Sequence, residues 1–353
     1  MKKIPVNLSQ ANFASTHYPI FVDQGLSCLR SELARLGGPF YLLTNAKVYR
    51  LWRKVLRPVV GEVPILKIPD GEEHKNLKTV EGVYHQLLKQ RVDRHGVLLL
   101  LGGGVVGDLG GYVAATFLRG IRFVQIPTTL VGQVDSSIGG KVGVDLPEGK
   151  NLIGSFYHPE FVYANIQFLT TLTRRDLLGG LAEVLKYGVI QHADFFRWVV
   201  KKKENIFGQD LDTLQRVVQV SAATKAAIVS QDEKEGGLRM VLNFGHTFGH
   251  ALEKLTRYRG TTHGEAVAIG MVIAARLSQK LGYCQPETEQ EIIEGITRLG
   301  LPTRVPPFKS AHWLQAIGVD KKRHKGKIRF VFVKKLGQVV IEAMAPERLV
   351  KLL

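Results

Sequence analysis

The chain has 353 residues, 45% of them hydrophobic and 22% charged, which suits a globular protein of two domains. Its longest apolar stretch, Ala266 to Ala275, is too short to span a bilayer, and no apolar signal segment follows Met1-Lys2-Lys3. Two cysteines, Cys28 and Cys284, exclude a disulfide framework and fit a reducing cytoplasm, while 48 basic against 31 acidic residues give a net charge of +17. The basic residues are dispersed, with short clusters at Lys201-Lys202-Lys203 and Lys321-Lys322-Arg323. A solvated basic surface and small anionic ligands are therefore expected, not nucleic acid.

In the first half, strand-like and helix-like stretches alternate. Pro39 to Thr44, Val63 to Ile68, Gly96 to Leu101 and Arg122 to Ile126 are short aliphatic runs that predict buried strands. Ala46 to Leu56 and Leu77 to Arg91 carry helical apolar spacing between them. Such alternation predicts an α/β domain over residues 1–169, with a mostly parallel sheet and helices on both faces. From residue 170 to 353 the pattern turns mainly α-helical. Helices are expected over Arg174 to Val200, Asp210 to Ser230, His246 to Leu255, Glu265 to Leu281 and Glu287 to Leu299. Ile328 to Val333 and Val339 to Ala343 predict a small hairpin around Gly337.

The run Gly102-Gly103-Gly104-Val105-Val106-Gly107-Asp108 follows a predicted strand and opens a predicted helix. It satisfies G-x-G-x-x-G in the setting where backbone N–H groups at a helix N-terminus receive a pyrophosphate. The acidic ribose partner usual about 20 residues later is missing, since Pro127-Thr128-Thr129 stands there. A second glycine-rich stretch, Ser136 to Asp145, is expected to be a loop. It carries Lys141, with Lys150 and Asn151 behind it, and reads either as an anion site or as a surface turn.

Glu183 and Lys186 share one face of an apolar helical run from Leu177 to Ile190, as a surface ion pair or as part of a metal or anion site. His246 and His250, four residues apart, project from one helix face. With Glu183 and His263 they offer nitrogen and carboxylate donors for zinc, or else are core histidines. Lys225, Arg239 and the Lys321-Lys322 pair form no motif on their own.

Taken together the motifs resemble the 3-dehydroquinate synthase family, within the sugar-phosphate cyclases, over nearly the whole chain. The matching stretches are Asp70–Lys75 (DGEEHK), Gly102–Gly120, Pro127–Leu130 (PTTL), Gln133–Asp145 and Gly149–Phe156, then Gly180–Gly188 (GLAEVLKYG), Leu242–Glu253 (LNFGHTFGHALE) and His263–Met271. The resemblance implies NAD and Zn²⁺ (Co²⁺ in its place) as cofactors, and a homodimer. It implies Glu183, His246 and His263 as metal ligands and His250 as a proton-handling residue that is not a ligand. The implied NAD positions are Asp70, Gly71, Glu72, Lys75, Gly103, Gly104, Val105, Asp108, Thr128, Thr129, Lys141, Lys150, Phe168 and Thr171. The implied substrate positions are Asp135, Lys141, Asn151, Lys186, Lys225, Arg239, Asn243, His250 and one of Lys321 and Lys322, with Arg119 reaching a neighbouring subunit's site.

The implied reaction turns 3-deoxy-D-arabino-heptulosonate 7-phosphate into 3-dehydroquinate and inorganic phosphate, in the shikimate pathway of aromatic amino acid biosynthesis. Transient oxidation by NAD, phosphate elimination, re-reduction and intramolecular aldol closure make up its course. A related cyclase forming a different ring is the alternative; the set Lys225, Arg239, Asn243 and His250 favours a substrate with a carboxylate. In one place the chain departs from many relatives: Asn45 stands where they carry an acidic residue suited to the adenosine ribose.

Overall fold

The computed structural model describes residues 1–7, 17–318 and 326–353. The chain divides into two compact units, Met1–Leu172 with Gln209–Lys234, and Thr173–Gly208 with Glu235–Leu353. The boundary expected between residues 169 and 170 thus lies close to Leu172, with one segment of the second half counted in the first unit.

The first unit runs β1 (Lys2–Asn7), β2 (His17–Asp23), α1 (Ser27–Leu36), β3 (Phe40–Asn45), α2 (Ala46–Val60), β4 (Ile65–Ile68), α3 (Leu77–Lys89) and β5 (Val97–Gly102). It continues through α4 (Gly104–Thr116), β6 (Arg122–Pro127), β7 (Lys141–Leu146), β8 (Gly149–Phe156) and β9 (Val162–Asn165). Seven strands form one sheet in the order β1-β2-β9-β6-β5-β3-β4. Among the described residues of this sheet only the β1–β2 pair is antiparallel; the other pairings are parallel. Every residue of β5 is buried, as expected of a parallel strand covered on both faces. Alternation sends Leu98 and Leu100 into a core with Val80, Val83 and Leu109, and Leu99 and Leu101 into another with Leu29, Leu56 and Phe168. The α/β reading of the first half therefore holds.

Two expectations change here. Ser136 to Asp145 is not loop throughout, because Lys141 begins a strand that pairs antiparallel with β8. Val142 and Val144 anchor it against α4, where a Cβ on Gly111 would meet Val142 Cγ1 at 2.3 Å. Short polar-edged strands beside glycines carry too little apolar periodicity to announce themselves.

The second half is helical as expected, with α5 (Arg174–Gln191), α6 (Ala193–Lys201), α7 (Lys203–Phe207) and α8 (Leu211–Gln231) following in order. The single helix expected from Arg174 to Val200 is divided at His192, whose φ of −138° and ψ of 79° leave the helical region. The Val189 carbonyl, freed by that ending, accepts the Gly337 N–H at 2.9 Å. Helix α8 is the segment that belongs to the first unit, where it packs on β1 and β2. Then come α9 (His246–Leu255), α10 (His263–Lys280), α11 (Pro286–Leu299), α12 (Ser310–Gly318), the antiparallel hairpin β10 (Ile328–Lys335) and β11 (Gln338–Met344), and α13 (Pro346–Lys351). Among the described residues no helix is long and apolar enough to cross a membrane.

Candidate metal centre and nucleotide turn

Helix α5 is buried almost all round from Leu177 to Ile190, so it forms the middle of the second unit instead of presenting a stripe to solvent. Glu183 and Lys186 are 0% and 1% exposed and ion-paired, which removes the surface-pair reading of these two residues. Glycines let the neighbouring helices come close. A Cβ on Gly264, near the start of α10, would lie 2.3 Å from the Gly179 carbonyl oxygen of α5. One on Gly270 would lie 1.9 Å from the carbonyl oxygen of Gly245, whose φ of +81° starts α9. These contacts bring the three helices together at one spot.

At that spot His246 Nε2 and His263 Nε2 each lie 3.4 Å from the same oxygen, Oε1 of Glu183. Neither carboxylate oxygen has a hydrogen bond of good geometry, although one ammonium and two imidazoles face them. Burial alone would raise the Glu183 pKa, but Lys186 and His246 hold it well below the usual carboxylate range. Burial and Lys186 together lower the pKa of His246, which favours the neutral imidazole a metal needs. For His263 burial acts downward, yet the facing carboxylates of Glu183 and Glu253 raise the pKa to about 10. One ionised carboxylate and two imidazole nitrogens, within 4.8 Å of one another, fit a zinc- or cobalt-type cation.

The outer nitrogens of the two histidines are also engaged. His246 Nδ1 is 3.2 Å from the Phe244 carbonyl oxygen, and His263 Nδ1 is 3.3 Å from Oε2 of the buried Glu253. His250, exposed on α9, stands beside the cluster, its ring 5.3 Å from that of His246 and 5.8 Å from that of His263. The Nδ2 amide of Asn243 donates to Glu235 Oε1 at 2.6 Å, and Arg239 is 2% exposed. Glu253 escaped the reading of the sequence. It stands seven residues after His246, two helical turns along the same face, which was signal enough.

In the first unit the turn after β5 leads straight into α4, whose N-cap Gly103 supplies no side-chain acceptor for the first-turn N–H groups. Thr129 bounds Gly103, where a Cβ would meet Thr129 Cγ2 at 3.0 Å, and the Thr128 N–H donates to the Gly102 carbonyl at 2.8 Å. Gly104 and Val105 open the helix. An anion fits this cap, since the dipole and the N–H groups both face it.

Lys75 Nζ lies 2.6 Å from Asp108 Oδ2 and 2.6 Å from Asn151 Oδ1, although these residues were assigned to different ligands. The Asp145 Oδ1 accepts the Asn151 N–H at 2.7 Å, and Lys150 is 3.5 Å from Glu72. Burial raises the pKa of Asp108 and of Asp145; that of Lys75 is also raised, burial being outweighed by Asp108 and Glu72. The one ammonium among these carboxylates offsets only part of the burial that pushes Asp108 and Asp145 up, while the carboxylates around it raise Lys75. Asp70 and Gly71 adjoin this cluster in sequence, and Asp70 Oδ1 accepts from the Asn45 amide at 2.9 Å.

Lys225 Nζ donates to both the carbonyl and the carboxylate of Asp135, each at 2.7 Å. Lys141 is exposed at the head of β7. Phe168 is fully buried, its ring against Trp52 at 4.8 Å between centroids, and the Thr171 hydroxyl donates to its carbonyl at 3.2 Å. Arg119 is exposed in a turn beyond α4, where Leu118 and Arg119 take φ of 52° and 67° in succession. Lys321 and Lys322 lie outside the described residues.

Residues 65–179 match the family of 3-dehydroquinate synthase N-terminal domains and residues 180–323 that of 3-dehydroquinate synthase C-terminal domains. The chain is 44% identical over 352 residues to the 3-dehydroquinate synthase of Geotalea uraniireducens (strain Rf4), covering 98% of this chain and 96% of the relative. A 2-epi-5-epi-valiolone synthase structure from Streptomyces hygroscopicus subsp. jinggangensis 5008, with NAD+ and Zn2+ bound, shares the fold at a TM-score of 0.87 and 24% identity, covering 98% and 97% of the two chains. So does a 2-deoxy-scyllo-inosose synthase complexed with carbaglucose-6-phosphate, NAD+ and Co2+, at 0.85 and 22%, covering 99% and 98%. With paired N- and C-terminal matches and 44% identity along almost its whole length, this chain belongs to the 3-dehydroquinate synthase family.

Proposed function

We infer that this chain converts 3-deoxy-D-arabino-heptulosonate 7-phosphate to 3-dehydroquinate and inorganic phosphate, as a phosphorus–oxygen lyase that depends on NAD and a divalent metal. The observation that carries this reading is 44% identity over 98% of the chain to a relative bearing that name. The cyclases that form other rings share the fold at only 24% and 22% identity.

Glu183, His246 and His263 would hold the metal, which would supply Lewis acidity to a substrate oxygen. The turn Gly103–Val105, with Asp70, Gly71, Glu72, Lys75, Asp108, Thr128, Thr129, Lys141, Lys150, Phe168 and Thr171, would hold NAD. Bound NAD would take up and return a hydride, leaving the overall reaction redox-neutral. Lys186, Arg239, Asn243, Lys225, Lys141 and Asn151 would grip the carboxylate, hydroxyls and phosphate of the substrate. Asp135 orients the Lys225 ammonium through two hydrogen bonds. His250, exposed beside the metal cluster, would move a proton at its imidazole during turnover.

The active form would be a cytoplasmic homodimer. Two consecutive non-glycine residues in the left-handed region present Arg119 outward, a strained geometry that suits a residue serving a partner's anion pocket. The decisive assay is release of inorganic phosphate from the heptulosonate phosphate, with NAD required but not consumed. No phosphate release by the chain loaded with NAD and Zn²⁺, or a stoichiometric build-up of NADH, would overturn the assignment.

A further inference from the structure

We propose that Glu253 is a positioning residue that sets the tautomer and orientation of His263 for the metal. The inference rests on the reading of Glu183, His246 and His263 as a divalent-metal set. Glu253 is 3% exposed in the last turn of α9, and His263 is the first residue of α10. The chain between them reverses through Arg257 and Tyr258, both at positive φ, and the Tyr258 N–H donates to the Glu253 carbonyl at 2.7 Å. Across this reversal Glu253 Oε2 comes within 3.3 Å of His263 Nδ1.

The geometry has one consequence for proton placement. A carboxylate can only accept, so Nδ1 of His263 carries a hydrogen toward Glu253, and Nε2, 3.4 Å from Glu183 Oε1, is the nitrogen that would give up its proton to a metal. His246 reaches the same arrangement by a different device, its Nδ1 meeting the Phe244 carbonyl oxygen at 3.2 Å. A backbone carbonyl cannot be mutated away, whereas Glu253 is a side chain, so the two ligands differ in what a substitution can undo. A carboxylate behind a ligating imidazole also raises its donor strength, and losing such a partner typically costs about 10- to 100-fold in metal affinity.

The same carboxylate lies with His250 and His263 in a group of donor atoms within 4.8 Å, which offers a rival role as a direct ligand of another ion. The tether is favoured because His263 cannot present Nε2 to Glu183 with Nδ1 protonated and also ligate through Nδ1.

Zinc affinity should be measured by competition with a chromophoric chelator, together with the visible spectrum of the Co²⁺-loaded protein. The chains to compare are the wild type, Glu253→Gln, Glu253→Ala and Glu183→Ala. Glu253→Ala should bind zinc about 10- to 100-fold more weakly and show an altered Co²⁺ spectrum, with near-UV circular dichroism unchanged. Glu253→Gln keeps an oxygen that can accept from Nδ1–H and should fall between wild type and Glu253→Ala. Wild-type affinity and spectrum in Glu253→Ala would overturn the proposal, as would two zinc ions per wild-type chain of which Glu253→Ala loses one. If Glu253→Ala does not fold, Glu253→Gln decides, and wild-type affinity there overturns the role. A wild type that binds neither metal, with Glu183→Ala no different, would sink the metal reading itself. Zinc lost in Glu183→Ala but unaltered in both Glu253 variants would sink this inference alone.

Discussion

The cluster at Glu183, His246 and His263 and the turn at Gly102–Gly107 are both suited to charge, but they are made of different material. In the helical unit three side chains from three helices converge on one carboxylate oxygen, and the backbone is only scaffold. In the sheet unit the turn itself offers backbone N–H groups at the start of α4, with the Lys75, Asp108 and Asn151 side chains linked to one another beside it. The first kind of site is broken by taking atoms away. The second is broken by adding them.

The largest effect should come from subtraction at the side-chain site. Glu183→Ala removes the carboxylate on which both imidazoles converge and takes a negative charge from beside the buried Lys186 ammonium. Bound metal, measured by elemental analysis, should be lost, and turnover should fall by about 10³-fold or more, since Lewis-acid stabilisation is worth several kcal/mol. His250→Ala should keep stoichiometric metal and lose about 10²- to 10⁴-fold in rate. Equal metal loss in the two variants would erase the distinction between ligand and proton carrier.

Next in size is the network beside the turn. Lys75→Met leaves Asp108 and Asp145 without the ammonium they share, a loss of about 3 kcal/mol in urea denaturation at pH 8, where removing one partner of a buried pair is costly. The sign with pH follows from the directions. Without Lys75 the folded carboxylate pKa values rise further above their unfolded ones, so the folded variant takes up protons more readily and gains stability as pH falls. The gap from wild type should therefore narrow between pH 8 and pH 5. A constant gap would mean that Lys75 acts through packing.

Addition at the turn comes third. Gly102→Ala would place a Cβ 2.4 Å from Val106 Cγ2 and 2.6 Å from its Cβ, an overlap with no flexible end to give way. Stability should drop by about 1–3 kcal/mol and NAD affinity, read by fluorescence titration, should weaken, while zinc content stays whole. Loss of zinc as well would show that the two sites do not fail separately.

The difference in material also governs what the sequence discloses. Glycine spacing after an aliphatic strand announces a backbone-built turn, because few other residues tolerate the approach seen at Gly102 and Gly103. A side-chain site is disclosed only where its donors share one helix, as His246 and His250 do; spacing offered both as zinc donors, and the family resemblance was needed to separate them. Glu183 and His263 are 80 residues apart in sequence, and no local pattern joins them. The buried alternation of β3, β5 and β6 was legible from aliphatic runs, whereas β7 and β8, with three glycines between Lys141 and Phe156, were not. The break at His192 depends on a hairpin 145 residues later, whose Gly337 N–H takes the Val189 carbonyl.

The smallest effect tests whether Asn45 belongs to the turn's scaffold or to its ligand. Its Oδ1 accepts the Val48 N–H at 2.8 Å and so caps α2, while its Nδ2 donates to Asp70 Oδ1 at 2.9 Å. Asn45→Ala should cost about 1 kcal/mol in urea denaturation, the usual loss on deleting an N-cap acceptor. Asn45→Asp would keep the cap, yet it replaces the donor facing Asp70 by a second carboxylate. At neutral pH that variant should be less stable than wild type through like-charge repulsion, and the deficit should ease in acid as the pair takes up a proton. If the side chain serves the helix more than the nucleotide, Asn45→Ala will lose stability with NAD affinity within about twofold of wild type, since its oxygen and amide are already engaged by Val48 and Asp70. A stable Asn45→Ala chain with strongly weakened NAD binding would instead place Asn45 on the ribose, and the turn would then be no purely backbone site.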